Sequence, residues 1–444
     1  MAREISAKKK IWGWMWFDWA SQPYNTLLLT FIFGPYVKSV MEDGAQAQAA
    51  WGLGVGLAGI VIAILAPILG AIADNSGNRL RWIWLFSLLY VIGGFGIWFS
   101  SPEDFHLVRV MVFFGIGLIG MEFATIFTNS MMPDLGEHDD MGRISGNGWA
   151  WGYVGGLLAL VVMLLLFAEN ADGITLLGKA PMLGLDPATR EGTRFVGPLS
   201  SLWYIVFMVP FFFWVRDPKH NRPDPKLVKH ALSDLWQTIK GLPKKKSLFA
   251  FLISSMIYRD GLNGLYTFAG IYAAGVLGWS VTQSGIFGII AIIAGAIFAW
   301  LGGKADARFG PKPVITMSIS ALVVLSIAIL TITPTSLFGM TLAESSPLPT
   351  IAFDIVGALL GAAGGSLQAA SRTMMVRQGN PERMTEAFGL YALAGKATSF
   401  IAPITIGLVT AWTGSQQLGI SPLVGLFLIG LILLIWVKPD GEKV

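Results

Sequence analysis

Apolar residues run along this chain in long blocks separated by short polar breaks. About twelve blocks are long enough to cross a bilayer, at roughly 14–38, 51–73, 82–100, 105–131, 146–168, 200–215, 247–275, 283–303, 313–333, 351–376, 386–410 and 419–437. An uninterrupted apolar run of around 20 residues satisfies its own backbone in lipid only as a helix, so a barrel is excluded. The pattern predicts an all-α membrane protein.

One break is longer than the rest, about 216–246, and it leaves six spans on either side. It opens with Pro218, Pro223 and Pro225. Leu227, Leu232, Leu235, Trp236 and Ile239 then follow helical spacing, as a short amphipathic helix on the membrane surface would. The expected organisation is a six-helix bundle over 1–215, a cytoplasmic linker over 216–246 and a second six-helix bundle over 247–444.

Charge fixes the orientation. Of 31 Lys and Arg residues, 23 lie on the side that holds both termini; only Lys179, Arg190 and Arg194 lie in loops on the other side, and five fall within or at the edges of spans. That is the positive-inside signature, which places both termini in the cytoplasm of a multi-pass inner-membrane protein. The composition agrees: 54% hydrophobic and 13% charged residues cannot cover a soluble domain. The net charge of +4 is accounted for by cytoplasmic loops, so no nucleic-acid partner is expected.

The absence of cysteine removes disulfides, thiolate catalysis and Cys-ligated metals. His106, His138, His220 and His230 all fall at or outside span ends, without an HExxH, so no metal or other cofactor is expected. Lys8-Lys9-Lys10 followed by an apolar run imitates a signal peptide. The run carries Asp18, continues past Tyr36 and lacks a small-x-small cleavage site, so it reads as a retained span. Trp12, Trp14, Trp16 and Trp19 crowd one end of it, as an interfacial aromatic belt does.

The halves are alike in several places. Lys8-Lys9-Lys10 answers to Lys244-Lys245-Lys246; Asn25 with Thr30-Phe31 answers to Asn263 with Thr267-Phe268. Ser130-Met131-Met132, ahead of Gly148-Trp149-Ala150, answers to Thr373-Met374-Met375, ahead of Gly389-Leu390-Tyr391. Parallel six-helix repeats about an axis along the membrane normal are the major facilitator arrangement.

The stretch Gly70-Ala71-Ile72-Ala73-Asp74-Asn75-Ser76-Gly77-Asn78-Arg79 resembles the conserved loop between helices two and three of the major facilitator superfamily. Gly302-Gly303-Lys304-Ala305-Asp306 through Gly310-Pro311-Lys312 is its counterpart, with one extra residue between Asp306 and Gly310. Phe17-Asp18-Trp19-Ala20-Ser21, Tyr258-Arg259-Asp260-Gly261-Leu262-Asn263, and Gly142-Arg143-Ile144-Ser145-Gly146 resemble the "unknown major facilitator" group, related to vacuolar amino-acid effluxers of autophagy. The resemblance implies a central cavity lined by helices one, four, seven and ten, flanked by eleven. It also implies cytoplasmic gate roles for Asp74, Gly77, Arg79, Arg143 and Asp306. Asp18 and Arg372, about one helical turn from the cytoplasmic ends of their spans, read as gate residues, Asp18 also as a substrate or ion ligand.

A charge at bilayer depth costs roughly 2.5–3.5 kcal/mol on insertion scales, so each such residue calls for an explanation. The deep set is Asp18, Glu122, Arg259, Asp260, Arg372 and Lys396, all on spans the resemblance places at the cavity. Asp260 reads as a proton- or cation-coupling site, or as a fixed ion pair with Lys396. Glu122 reads as a coupling or amine-binding group, or as a structural pair with Arg372 or Lys396. Lys396 suits an anionic substrate group. Arg259 is not a simple partner for Asp260, because helical neighbours point about 100° apart. Tyr24, Asn25, Asn263, Tyr266 and Gln368 are the neutral polar candidates, each also readable as an interhelical hydrogen bond.

The reading is a secondary active transporter, not an enzyme, which moves a small polar solute by alternating access. An amino acid or small peptide is favoured, with a coupling proton or else sodium, and the protein is expected to act as a monomer in the lipid bilayer. A cation-coupled sugar or glycoside symporter is the alternative, and a lipid or drug exporter a further one. A sensor would need a soluble output domain, and no paired catalytic constellation is visible.

Overall fold

The computed structural model describes residues 5–41, 44–170, 172–217, 227–279, 281–343 and 346–442. Pro218, His220, Pro223 and Pro225 lie outside them. The helices are α1 (Ala7–Pro23), followed by a π-helix over Tyr24–Phe31, α2 (Phe33–Val40), α3 (Gly44–Ser76), α4 (Arg79–Gly96), α5 (Leu107–Ser130), α6 (Met141–Leu166), α7 (Val196–Phe207), α8 (Val209–Trp214) and α9 (Leu227–Gly241). They continue as α10 (Lys246–Gly275), α11 (Val281–Phe309), α12 (Pro311–Ile329), α13 (Leu348–Gln378), α14 (Met384–Ala397), α15 (Ile401–Thr413) and α16 (Ser421–Leu433).

Among the described residues, 10 helices are long and apolar enough to cross a membrane. The first expected span is the α1–π–α2 series, and the seventh is α10, which carries Arg259 and Asp260. The all-helical expectation needs one correction. Between α12 and α13 the loop pairs its own backbone as three two-residue strands, β1 (Ile332–Thr333), β2 (Ser336–Leu337) and β3 (Met340–Thr341), joined antiparallel in sequence order. Phe338 and Gly339 take φ of 52° and 83° there, the left-handed turn that reverses the chain between β2 and β3.

The sixth expected span divides at Met208 into α7 and α8; in the first and eleventh, proline accounts for the break. Pro23 has no N–H for the carbonyl of Trp19, and that carbonyl instead accepts from the indole of Trp203 at 3.3 Å. The helix then widens to π geometry, which inserts one residue. Thr30 Oγ1 reaches back five residues to the Asn25 carbonyl (2.8 Å), whereas Thr267 Oγ1 reaches back four to the Asn263 carbonyl (2.9 Å). The one-residue mismatch between the two sequence halves is thus the π insertion. Pro403 likewise cannot bond to Ser399, and the eleventh span divides into α14 and α15.

The chain forms two compact units. The first comprises Met1–Leu135 and Trp151–Leu232; the second comprises Gly136–Ala150 and Ser233–Val444. Helix α6 is therefore divided: its first turns, to Ala150, belong to the second unit. A partition at 215/247 does not anticipate this.

In the first unit α4 and α5 approach until backbone meets backbone. A Cβ at Gly93 would overlap the Gly117 nitrogen, the small-residue packing that membrane helices use. Phe86 stacks on Phe123 (4.6 Å) and Tyr90 on Tyr204 (4.1 Å). Gly93→Val is expected to lower stability by about 1–3 kcal/mol through overpacking, read as a lower unfolding midpoint in detergent. The tryptophans of α1 are mostly core, contrary to the belt reading. Trp14 is 1% exposed with its indole donating to the Thr128 carbonyl, Trp19 is 7% exposed, and Trp12 alone of these three is exposed. In the second unit α11 and α13 pack through Gly361 against the Ala291 carbonyl and Gly365 against the Gly295 carbonyl.

Helix α9 buries Ala231 and Leu235, while Leu232, Trp236 and Ile239 of the predicted apolar face are exposed. Arg383 ties it down through an ion pair with Asp234 at 3.0 Å.

Candidate functional site

The break after α14 leaves one N–H of the first turn of α15, that of Ala402, without a backbone acceptor inside a membrane-spanning segment, where no water compensates. Asp260, from the middle of α10, supplies the acceptor: its Oδ2 takes the Ala402 N–H at 2.9 Å. Close approach of the helices allows this, since a Cβ at Gly264 would lie 2.7 Å from the Ala402 Cβ. Asp260 is 1% exposed, and its other oxygen, Oδ1, meets no donor among the described residues. The expected alternative of a fixed Asp260–Lys396 ion pair is not what forms. The carboxyl is half committed, to a backbone amide, and half open.

Arg259 turns away from Asp260 toward α14. Its Nη1 donates to the Tyr391 carbonyl at 3.0 Å, and its guanidinium lies 4.2 Å from the Tyr391 ring centroid. Tyr391 is itself packed by Phe251 and Phe388. Gly395 makes room: a Cβ there would lie 2.5 Å from the Arg259 Cζ. Lys396 follows directly, half-buried on the last turn of α14. The second unit thus gathers Arg259, Asp260 and the helix end bearing Lys396 around one break. Sequence reasoning named the three charged residues but missed the break, Tyr391's support of Arg259, and the amide of Ala402. Pro403 was the signal for the break.

The neutral candidates divide. Tyr266 is 41% exposed, and its hydroxyl lies over Gly364 of α13, in the space that a Cβ there would fill. Gln368 donates to the Gly364 carbonyl of its own helix (3.3 Å), and Asn263 is exposed. In the first unit Tyr24 is fully buried and donates to the Phe114 carbonyl at 2.6 Å, so it is a packing residue and not part of a lining. Asn25 Nδ2 contacts the Met121 sulfur at 3.9 Å, and Glu122, next along α5, is half-buried.

The gate candidates form two sets. Gly77 (φ 63°) ends α3 in a conformation that side chains resist, and Asp74 sits half-buried in the last turn before it. Arg79 then clamps three segments of the first unit: Asp134 Oδ2 at 2.5 Å, Asp217 Oδ1 at 3.3 Å and the Ser130 carbonyl at 2.9 Å. Asp18 packs beneath Gly152 of α6.

The second set holds residues 136–150 within the second unit. Arg372, 4% exposed, donates to Ser145 Oγ (2.9 Å) and to the Ser145 carbonyl (2.7 Å), while Ser145 Oγ donates to the Ala369 carbonyl (2.7 Å). A Cβ at Gly146 would lie 2.5 Å from Gly303 Cα, and one at Gly142 would lie 2.5 Å from Asp306 Cγ. Asp306 is fully buried, and neither of its carboxylate oxygens meets a donor among the described residues. Among the described residues Arg143 makes only an exposed local pair with Asp140 at 2.7 Å, which contributes little. Ser145 and the two glycines were visible in the sequence as a family stretch, but their partners, over 150 residues away, were not.

The loop 169–199 is tied down by a buried carboxylate. Glu169 accepts from Thr193 Oγ1 (2.5 Å), the Thr193 N–H (3.0 Å) and Arg190 Nε (2.8 Å), and Arg194 donates to the Trp98 carbonyl. Glu169→Ala is expected to cost about 1–3 kcal/mol, because it leaves the buried Thr193 N–H and hydroxyl without their acceptor. A drop in unfolding midpoint, with the loop opened to protease, is the readout.

No group of three or more His, Cys, Asp or Glu able to hold a metal occurs among the described residues.

Comparison with known proteins places this geometry. The family described as "Vacuole effluxer Atg22 like" matches residues 52–443. An uncharacterized MFS-type transporter, YxiO, of Bacillus subtilis (strain 168) is 24% identical over 432 residues, covering 96% of this chain and 94% of its own. Autophagy-related protein 22-1 of Aspergillus clavatus is 23% identical over 475 residues, covering 87% and 73% respectively. Among solved structures, the proton:xylose symporter XylE of the major facilitator superfamily (MFS) aligns over 97% of this chain and 94% of its own, with a TM-score of 0.67 at 13% identity. The human organic anion transporter MFSD10 aligns over 97% and 100%, with a TM-score of 0.70 at 15% identity. The fold is that of the major facilitators.

Proposed function

The chain belongs to the Atg22-like vacuole effluxer family of major facilitator transporters, and from that membership we propose that it is a proton-coupled secondary carrier of a small polar solute. It is a multi-pass membrane transporter; the solute class, the coupling ion and the membrane are the proposal. An amino acid or small peptide is the favoured cargo, the cytoplasmic membrane the favoured site, with both termini on the cytoplasmic side and a monomer as the working unit.

The observation that carries the reading is the state of Asp260. A buried carboxyl that caps a broken helix with one oxygen and leaves the other open can take a proton on Oδ1 without losing its hydrogen bond to Ala402. Proton arrival and departure there act on the junction of α14 and α15. Discontinuous helices at membrane depth are where secondary transporters build substrate and ion sites.

The test uses purified protein in liposomes with a trapped pH dye, challenged with pooled L-amino acids and then pooled sugars. Proton movement with amino acids and none with sugars is expected. Movement with sugars alone favours the symporter alternative, and a response that requires a sodium gradient replaces the proton with sodium.

A further inference from the structure

We propose that Arg259 is the receptor for a carboxylate on the transported solute, with Lys396 supplying a second positive charge beside it. The proposal rests on the transport reading above but not on its coupling ion.

Arg259 sits half-buried in the middle of α10, where a charge is costly. No carboxylate among the described residues pairs with it, and its contacts are the Tyr391 carbonyl and ring. Asp260, its neighbour, points about 100° away and has Oδ2 committed to Ala402. Nη1 uses one of the five N–H donors of the guanidinium, which leaves an edge of Nε and Nη2. Two parallel donors on a planar fork match the two oxygens of a carboxylate.

The fork is also held in advance. The Tyr391 ring backs the guanidinium at 4.2 Å and its carbonyl takes Nη1, Phe251 and Phe388 pack Tyr391, and Gly395 admits the guanidinium against α14. Among the described residues its guanidinium is held by an aromatic ring and a carbonyl and not by a counter-ion, the preorganisation that a binding site for an anion requires. Lys396 follows Gly395, so a bound anion lies next to a second cationic residue and one helix position from the Asp260 carboxyl.

Binding is read without any gradient, as the unfolding midpoint of the purified full-length protein. The probes are pooled L-amino acids, pooled short dicarboxylates, the corresponding amino-acid amides and inorganic phosphate. Wild type should be stabilised by a carboxylate pool and not by the amides. Arg259→Gln should weaken that binding at least about tenfold, and Arg259→Lys, which keeps the charge but loses the fork, should fall between. Amides binding as well as acids, phosphate binding alone, no shift with any carboxylate, or an Arg259→Gln variant that binds unchanged would each overturn the proposal. A carboxylate shift without proton movement in liposomes would overturn the coupling reading and leave this site standing. Amino-acid-driven proton flux that survives Arg259→Gln would do the reverse.

Discussion

Asp260→Asn should abolish solute-triggered proton movement while solute exchange across the membrane continues. Asparagine keeps a side-chain oxygen where Oδ2 accepts the Ala402 N–H, so the start of α15 stays capped. What it loses is a site that gains and releases a proton. Asp260→Ala removes the cap as well, and by the usual worth of such caps should cost about 1 kcal/mol of stability in addition. The pair separates the two roles of one side chain. With the Asn variant, accumulation driven by a pH gradient falls to background and counterflow of labelled solute persists; with the Ala variant, both decline and the unfolding midpoint drops. Equal proton movement in liposomes of Asp260→Asn and of wild type would remove Asp260 from coupling.

Gly146→Val should slow transport by ten- to a hundredfold without touching the charged residues of α10 and α14. Valine at this position would drive its Cβ into Gly303 Cα and the Ala299 carbonyl, at 2.5 and 2.6 Å. Overpacking of that kind costs about 1–3 kcal/mol, which converts to roughly ten- to a hundredfold in the population of the docked 136–150 segment. Arg372→Ala acts on the same segment by a different route, removing two hydrogen bonds to Ser145. Both variants should reduce cycling and leave solute binding within a few-fold of wild type. A Gly146→Val protein that cycles at the wild-type rate would show that this packing is not part of the working cycle.

Much of this was legible in the chain. The positions of the spans follow from apolar block length, because a helix in lipid must satisfy its backbone alone. The deep charges were equally plain, since each stands out against an apolar run. What the sequence hid was pairing at a distance. Tyr24 looks the same whether it faces a cavity or, as here, bonds to the Phe114 carbonyl. Asp260 looks the same opposite Lys396 or beneath Ala402. Breaks were legible in principle: Pro23 and Pro403 each delete a donor, but apolar continuity through Leu27–Leu29 and Ile401–Ile406 masks the interruption. The division of α6 was not legible at all, because a helix pattern carries no mark of which body its turns join.

The measurement that bears most directly on alternating access uses the absence of native cysteine from the chain. A Ser145→Cys variant, with its single thiol at a position fully buried against α13, should react slowly with a maleimide in proteoliposomes. If residues 136–150 leave the second unit during each cycle, a transported solute should raise the labelling rate several-fold, and Gly146→Val should raise it without solute. Labelling that is equally slow with and without a solute known to be transported would contradict the account.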